Sequence, residues 1–137
     1  MNGLQRFLDE QEFWYFKALA EVRSGKKLNH WMWFIFPQLP LGQTPTSLLY
    51  SIKGREEALE YLGDPILGSR LQEISEAVLE SNTNAPTEIF GPIDALKLRS
   101  CMTLFASISS QKENVFQMVL MKFYSGERCE RTLELLG

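Results

Sequence analysis

The sequence predicts an all-α fold, a single irregular multi-helical bundle of about six to eight helices. Three observations predict it. Every long segment repeats its apolar residues at spacings of three and four. No segment sustains the apolar/polar alternation of a half-buried strand. The one dense apolar run, at residues 30–38, is stopped by Pro37, which disfavours a helical conformation at Phe36. With 137 residues the whole chain, 1–137, is read as one domain around one core.

The elements follow in order. From Leu4 the apolar positions Leu4, Phe7, Leu8, Phe13, Phe16 and Ala20 predict one helix, or two in tandem, up to Gly25. Gly25 followed by Lys26 and Lys27 is a helix stop, because glycine takes the left-handed cap and cations suit the negative end of the dipole. HWMWFIFPQ, residues 30–38, has no polar outer face and is predicted to be a short buried element. Pro37, Pro40, Gly42 and Pro45 mark a surface loop. Thr46 or Ser47 can cap a short helix through Tyr50, and Arg55 to Leu62 forms the next, with Ala58, Leu59 and Leu62 on its inner side. Asp64 and Pro65 open the clearest amphipathic helix, whose buried face is Leu67, Leu71, Ile74 and Val78. Asn82 to Pro86 reads as a loop. Leu98, Cys101, Met102, Phe105 and Ile108 then line the apolar side of a helix from about Leu96, and Phe116, Val119, Leu120 and Phe123 line another before Gly126. A short helix from Thr132 to Leu136 closes the chain.

Composition narrows the function classes. A chain that is 45% hydrophobic and 23% charged is an ordinary globular one, not a disordered or collagen-like one. The net charge is −3 and the basic residues are scattered apart from Lys26 and Lys27, so nucleic acid is a disfavoured partner. Cys101 and Cys129 are read as free thiols of a reducing compartment. Asp9, Glu10 and Glu12 stand where a signal peptide needs apolar residues, and no apolar run approaches the roughly 20 residues that span a bilayer. A cytoplasmic location without membrane contact is expected. No Walker loop, dinucleotide glycine fingerprint, His-Glu-x-x-His helix or nucleophile elbow occurs, and no cofactor is expected. His30 is the only histidine and the cysteines lie 28 positions apart, so no metal site is expected either.

The candidate site residues are therefore few. His30 opens the aromatic segment and is the one side chain that titrates near neutrality; it either caps that element or serves as a general base. Trp31 and Trp33 either belong to the core or stack a planar ligand, and Gln38 is placed at the rim. Asp94, Lys97 and Ser100 recur at spacings of three, with Thr103 and Ser107 extending the stripe. Asp94 and Lys97 alone make an ordinary exposed pair. Ser100 and Thr103 are shorter than a solvent face normally carries, which predicts close approach by another element or a ligand. His30, Trp31 or Trp33, Gln38, Lys97 and Ser100 are accordingly expected to share one polar pocket.

HWMWFIFPQ, PILGSRL at residues 65–71, EIFG at 88–91 and LKLRSCMTLF at 96–105 together resemble the bacterial domain-of-unknown-function family 1810. The resemblance covers nearly the whole chain and implies an all-helical fold, while it brings no activity, cofactor or catalytic residue. Measured against the family pattern, Asp64 stands where relatives tend to carry His, Pro40 stands for a glycine, and Cys129 stands for an Asp.

Two classes of function remain. One is a small domain that binds a small molecule or a protein partner without chemistry. The other is an enzyme, a hydrolase or transferase acting on a nucleotide-like or other planar polar ligand, with His30 as base and Lys97 and Ser100 as anion or hydroxyl contacts.

Overall fold

A computed structural model describes residues 3–42 and 44–137. Among them eight helices run in the order α1 (Gln5–Ser24), α2 (Met32–Ile35), α3 (Pro45–Leu49), α4 (Arg55–Gly63), α5 (Leu67–Leu79), α6 (Pro86–Ile108), α7 (Val115–Tyr124) and α8 (Glu130–Leu136). No described residue lies in a strand. No helix among the described residues is long and apolar enough to cross a membrane.

The packing follows from the periodicity. α5 buries Leu67, Leu71, Ile74 and Val78 as expected and lies against α1, α4 and α7. Asp64 does cap its entrance, with Oδ1 accepting the backbone N–H of Ile66 and Leu67, each at 2.9 Å. α6 packs on α4, α7 and α8 and is buried on nearly all sides from Leu98 to Ala106. A run of rings links four helices through the core. Phe7 of α1 meets Tyr61 of α4 edge-on at 5.2 Å, Tyr61 meets Phe105 of α6 at 5.5 Å, and Phe105 meets Phe116 of α7 at 5.8 Å.

Four local expectations are corrected. The buried face of α1 is Phe7, Gln11, Tyr15, Ala18, Leu19 and Val22, whereas Phe13 and Phe16 are 62% and 68% exposed. The polar residue in that stripe hid it: Gln11 is buried with its Nε2 donating to the Phe34 carbonyl at 2.8 Å and to the Tyr61 hydroxyl at 3.0 Å. In α4 the inward residues are Ala58 and Tyr61, and Leu59 is exposed. α3 is capped by Thr44, whose Oγ1 accepts the Ser47 N–H at 3.1 Å, so that Pro45 takes the first helical position. Finally, α6 begins ten residues earlier than its apolar pattern, at Pro86, because Gly91 with φ 78° and ψ 167° lets two helical segments, 86–90 and 92–108, meet at a kink.

Candidate functional site

The aromatic segment is held to the bundle by a residue that no sequence pattern marked. Glu21, buried near the end of α1, accepts four hydrogen bonds. Its Oε1 takes the backbone N–H of Leu28 at 2.7 Å, that of Asn29 at 3.1 Å and the indole N–H of Trp31 at 2.8 Å, and its Oε2 takes the Asn29 amide at 2.6 Å. Burial alone would raise the Glu21 carboxyl, but these donors outweigh it and hold it below the ordinary range. The strap from Gly25 to Trp31 is thereby fixed against α1, and the Lys27 N–H bonds the Ile89 carbonyl at 2.7 Å to fix it against α6.

At the end of this strap three charges converge. Lys27 Nζ lies 2.8 Å from Asp94 Oδ2, and Lys97 Nζ lies 3.1 Å from Asp94 Oδ1. Their side chains are 8%, 18% and 24% exposed for Lys27, Asp94 and Lys97, so the trio is not the solvated pair expected of Asp94 and Lys97 alone. Burial would raise the Asp94 carboxyl, but hydrogen bonds and charge from both lysines lower it. The two ammoniums differ in what else they touch. Lys27 also donates to the Asn29 carbonyl at 2.6 Å and sits 5.0 Å from the Trp31 ring centroid. Lys97 sits over the half-buried Trp33 ring at 4.4 Å. The far edge of that ring rests on the loop after α2. A Cβ on Gly42 would lie 3.3 Å from Trp33 Cη2 and 2.6 Å from Ser47 Oγ, so only glycine lets the loop close there.

The expected site residues therefore separate. Trp33 and Lys97 are in contact, and His30 is exposed on the same strap, with no side-chain hydrogen bond among the described residues. Trp31 is fully buried beside Phe36 and Phe90. Gln38 is enclosed rather than at a rim; its backbone carbonyl accepts the Ile52 N–H at 2.7 Å, and its side-chain Nε2 has no partner among the described residues. Ser100 faces away from Lys97, with its Oγ 3.2 Å from the Leu96 carbonyl, to which it donates, and 3.3 Å from Cys129 Sγ. Geometry explains the parting: each step of three residues falls about 60° short of a full turn, so a stripe of Asp94, Lys97 and Ser100 winds around α6. The short polar side chains of Ser100 and Thr103 do accommodate close approach, that of the segment leading into α8, whose Cys129 N–H bonds Thr103 Oγ1 at 2.9 Å. Sequence reasoning missed Glu21, which an apolar pattern treats as solvated, and the pairing of Lys27 with Asp94, which are 67 positions apart.

Among solved structures, the chain is similar to the crystal structure of the conserved hypothetical protein Rv1873 from Mycobacterium tuberculosis. The two are 43% identical with a TM-score of 0.94 over 97% of this chain and 95% of that one. No curated protein matches the chain. Residues 1–136 match the family DUF1810, described as a protein of unknown function, and the chain belongs to that family.

Proposed function

We propose that the face made by Trp33, Lys97, Asp94 and Lys27, with His30 on the adjoining strap, binds a small anionic metabolite that carries a planar group, as a nucleotide does. The observation that carries the reading is that two ammoniums share one carboxylate, which leaves one positive charge uncompensated in a half-buried place on a chain of net charge −3. Lys97 is the more open of the two and offers its remaining N–H donors, while Trp33 supplies an apolar wall. The two free thiols support a reducing, cytoplasmic setting for such a metabolite.

The test is titration calorimetry with nucleoside mono- and diphosphates and with inorganic phosphate, on the wild type, Lys97→Met and His30→Gln. Lys97→Met is expected to abolish binding while costing less than about 1 kcal/mol of stability, since Asp94 keeps Lys27 as its partner. Retained affinity in folded Lys97→Met overturns the reading. Turnover of a bound nucleotide that is lost in His30→Gln would move the protein to the hydrolase or transferase class.

A further inference from the structure

The outer face of α1 is exposed along its length, yet its composition is not that of a solvated face. Asp9, Phe13, Phe16, Ala20 and Arg23 are all exposed and stand four, three, four and three residues apart. That is the repeat of about 3.5 residues that keeps one seam turned toward a second helix. Its central positions are two phenylalanines with more than half of their surface in water. We propose that this seam is the two-fold interface of a homodimer, in which α1 packs antiparallel on α1 of a second copy of the chain.

Charge selects both the occupant and its direction. The exposed residues of the N-terminal half of α1 include Asp9 and Glu12, and those of the C-terminal half include Lys17 and Arg23. None of the four makes an ion pair among the described residues. Such a face is complementary to itself when turned end for end. A parallel pair would set Asp9 on Asp9 and Arg23 on Arg23. A two-fold axis between Trp14 and Tyr15 instead sets Phe13 of one copy on Phe16 of the other, and Asp9 on Ala20. Arg23 lies three residues beyond Ala20, about 4.5 Å along the helix, a gap that an arginine stem spans. Two symmetric pairs of Asp9 with Arg23 then close the ends of a contact made by four rings.

The rings are already placed for it. Phe13 stands edge-on to Trp14 with centroids 5.0 Å apart, and Lys17 Nζ lies 4.8 Å from its centroid. Phe16 stands edge-on to Tyr15 at 5.2 Å. Side chains held this way lose little freedom on association, and Ala20 leaves room for the second backbone. Four largely exposed rings bring about 500 Å² of apolar surface to the contact. With the flanking residues of α1 the buried total reaches about 1,000 Å², the lower end of specific interfaces. The dimer is therefore weak and reversible, with a dissociation constant of about 10–100 µM.

The test is sedimentation velocity with light scattering on the full chain, from about 1 to 500 µM so that mass action is sampled on both sides of that constant. The wild type should move from monomer toward dimer across the range. Phe16→Ser should weaken association by about tenfold or more. Asp9→Arg and Arg23→Asp, both surface changes whose folding circular dichroism checks, should each weaken it by about fivefold, because like charges then face each other. An equimolar mixture of those two variants should associate at least as well as the wild type, since every facing pair is then an arginine on an aspartate. That recovery also shows that both variants are folded. A wild type that stays monomeric throughout leaves the seam to a different partner and overturns the proposal. A dimer indifferent to Phe16→Ser and to both charge reversals, or a mixture no tighter than either variant alone, overturns it as well.

Discussion

The Glu21 carboxylate accepts the Trp31 indole N–H at 2.8 Å, and that bond joins the last turns of α1 to the first tryptophan ring of the aromatic block. Because the same carboxylate also holds Leu28 and Asn29, His30 has residues tied to Glu21 on both sides while it is itself exposed. One side chain thus sets the course of a strap that presents Lys27 to Asp94 and Trp33 to Lys97.

Glu21→Gln should therefore destabilise the protein by about 2–4 kcal/mol, because an amide turns an N–H₂ toward groups that need an acceptor. The loss has a pH signature. A carboxyl held below its unfolded value contributes stability that is present above the ordinary 4.5 and disappears as pH falls through the lower folded value. Denaturant unfolding from pH 7 down to about pH 3 should show the wild type losing this contribution below about pH 4.5, while Glu21→Gln starts lower and declines less. Equal slopes for the two would reject the assignment.

Asp94→Asn is expected to cost about 1–3 kcal/mol, more than a surface pair would, since it leaves two partly buried ammoniums facing a neutral amide. Lys97→Met should recover part of that loss in the double variant by removing one of the two unpaired charges, and thermal unfolding of the four proteins closes the cycle. Additive losses would mean that Lys97 and Asp94 do not interact.

The helices were legible in the sequence where burial follows apolar spacing, as in α5, and illegible where a polar group took an inner position. Gln11 and Glu21 displaced the apparent stripe of α1 because each is buried with a full set of partners, which no apolar count detects. Part of the candidate site was legible for a similar reason. Trp33 and Lys97 stood out as an aromatic and a cation in oddly patterned segments, and they touch. The directions of Ser100 and Gln38 depended on helix winding and on how the loop after α2 folds back, neither of which is a local property of the chain.

Gly91→Ala isolates backbone conformation from packing. A Cβ there would meet nothing within 4 Å, so no clash arises, but φ 78° with ψ 167° lies in a region that is essentially reserved for glycine. The variant should lose about 1–3 kcal/mol with the core unchanged, and it should disturb the Lys27 to Ile89 bond because residue 89 lies just before the kink. Chemical denaturation measures the first effect, and faster amide exchange at Lys27 in the native state measures the second.

Arg6→Lys tests whether charge alone secures the start of α1. The Arg6 guanidinium donates to the Leu49 carbonyl at 2.8 Å, to the Ser51 carbonyl at 2.7 Å, to the Gly3 carbonyl, and to both oxygens of Glu57 at 2.8 and 3.2 Å. Its side chain is 7% exposed, and that of Glu57 14%, so the pair is largely withdrawn from solvent. An ammonium keeps the charge but has three donors on a single atom, and it cannot span acceptors spread across the fork of a guanidinium. The ends of α3 and the start of α4 would then lose their tie to α1, leaving buried carbonyls unmatched at a cost of about 2–4 kcal/mol. Arg6→Met should cost more still, because Glu57 would then be left without its cation. Denaturant midpoints in the order wild type, Arg6→Lys, Arg6→Met are the expected result, and an Arg6→Lys protein as stable as the wild type would show that the fork geometry contributes nothing.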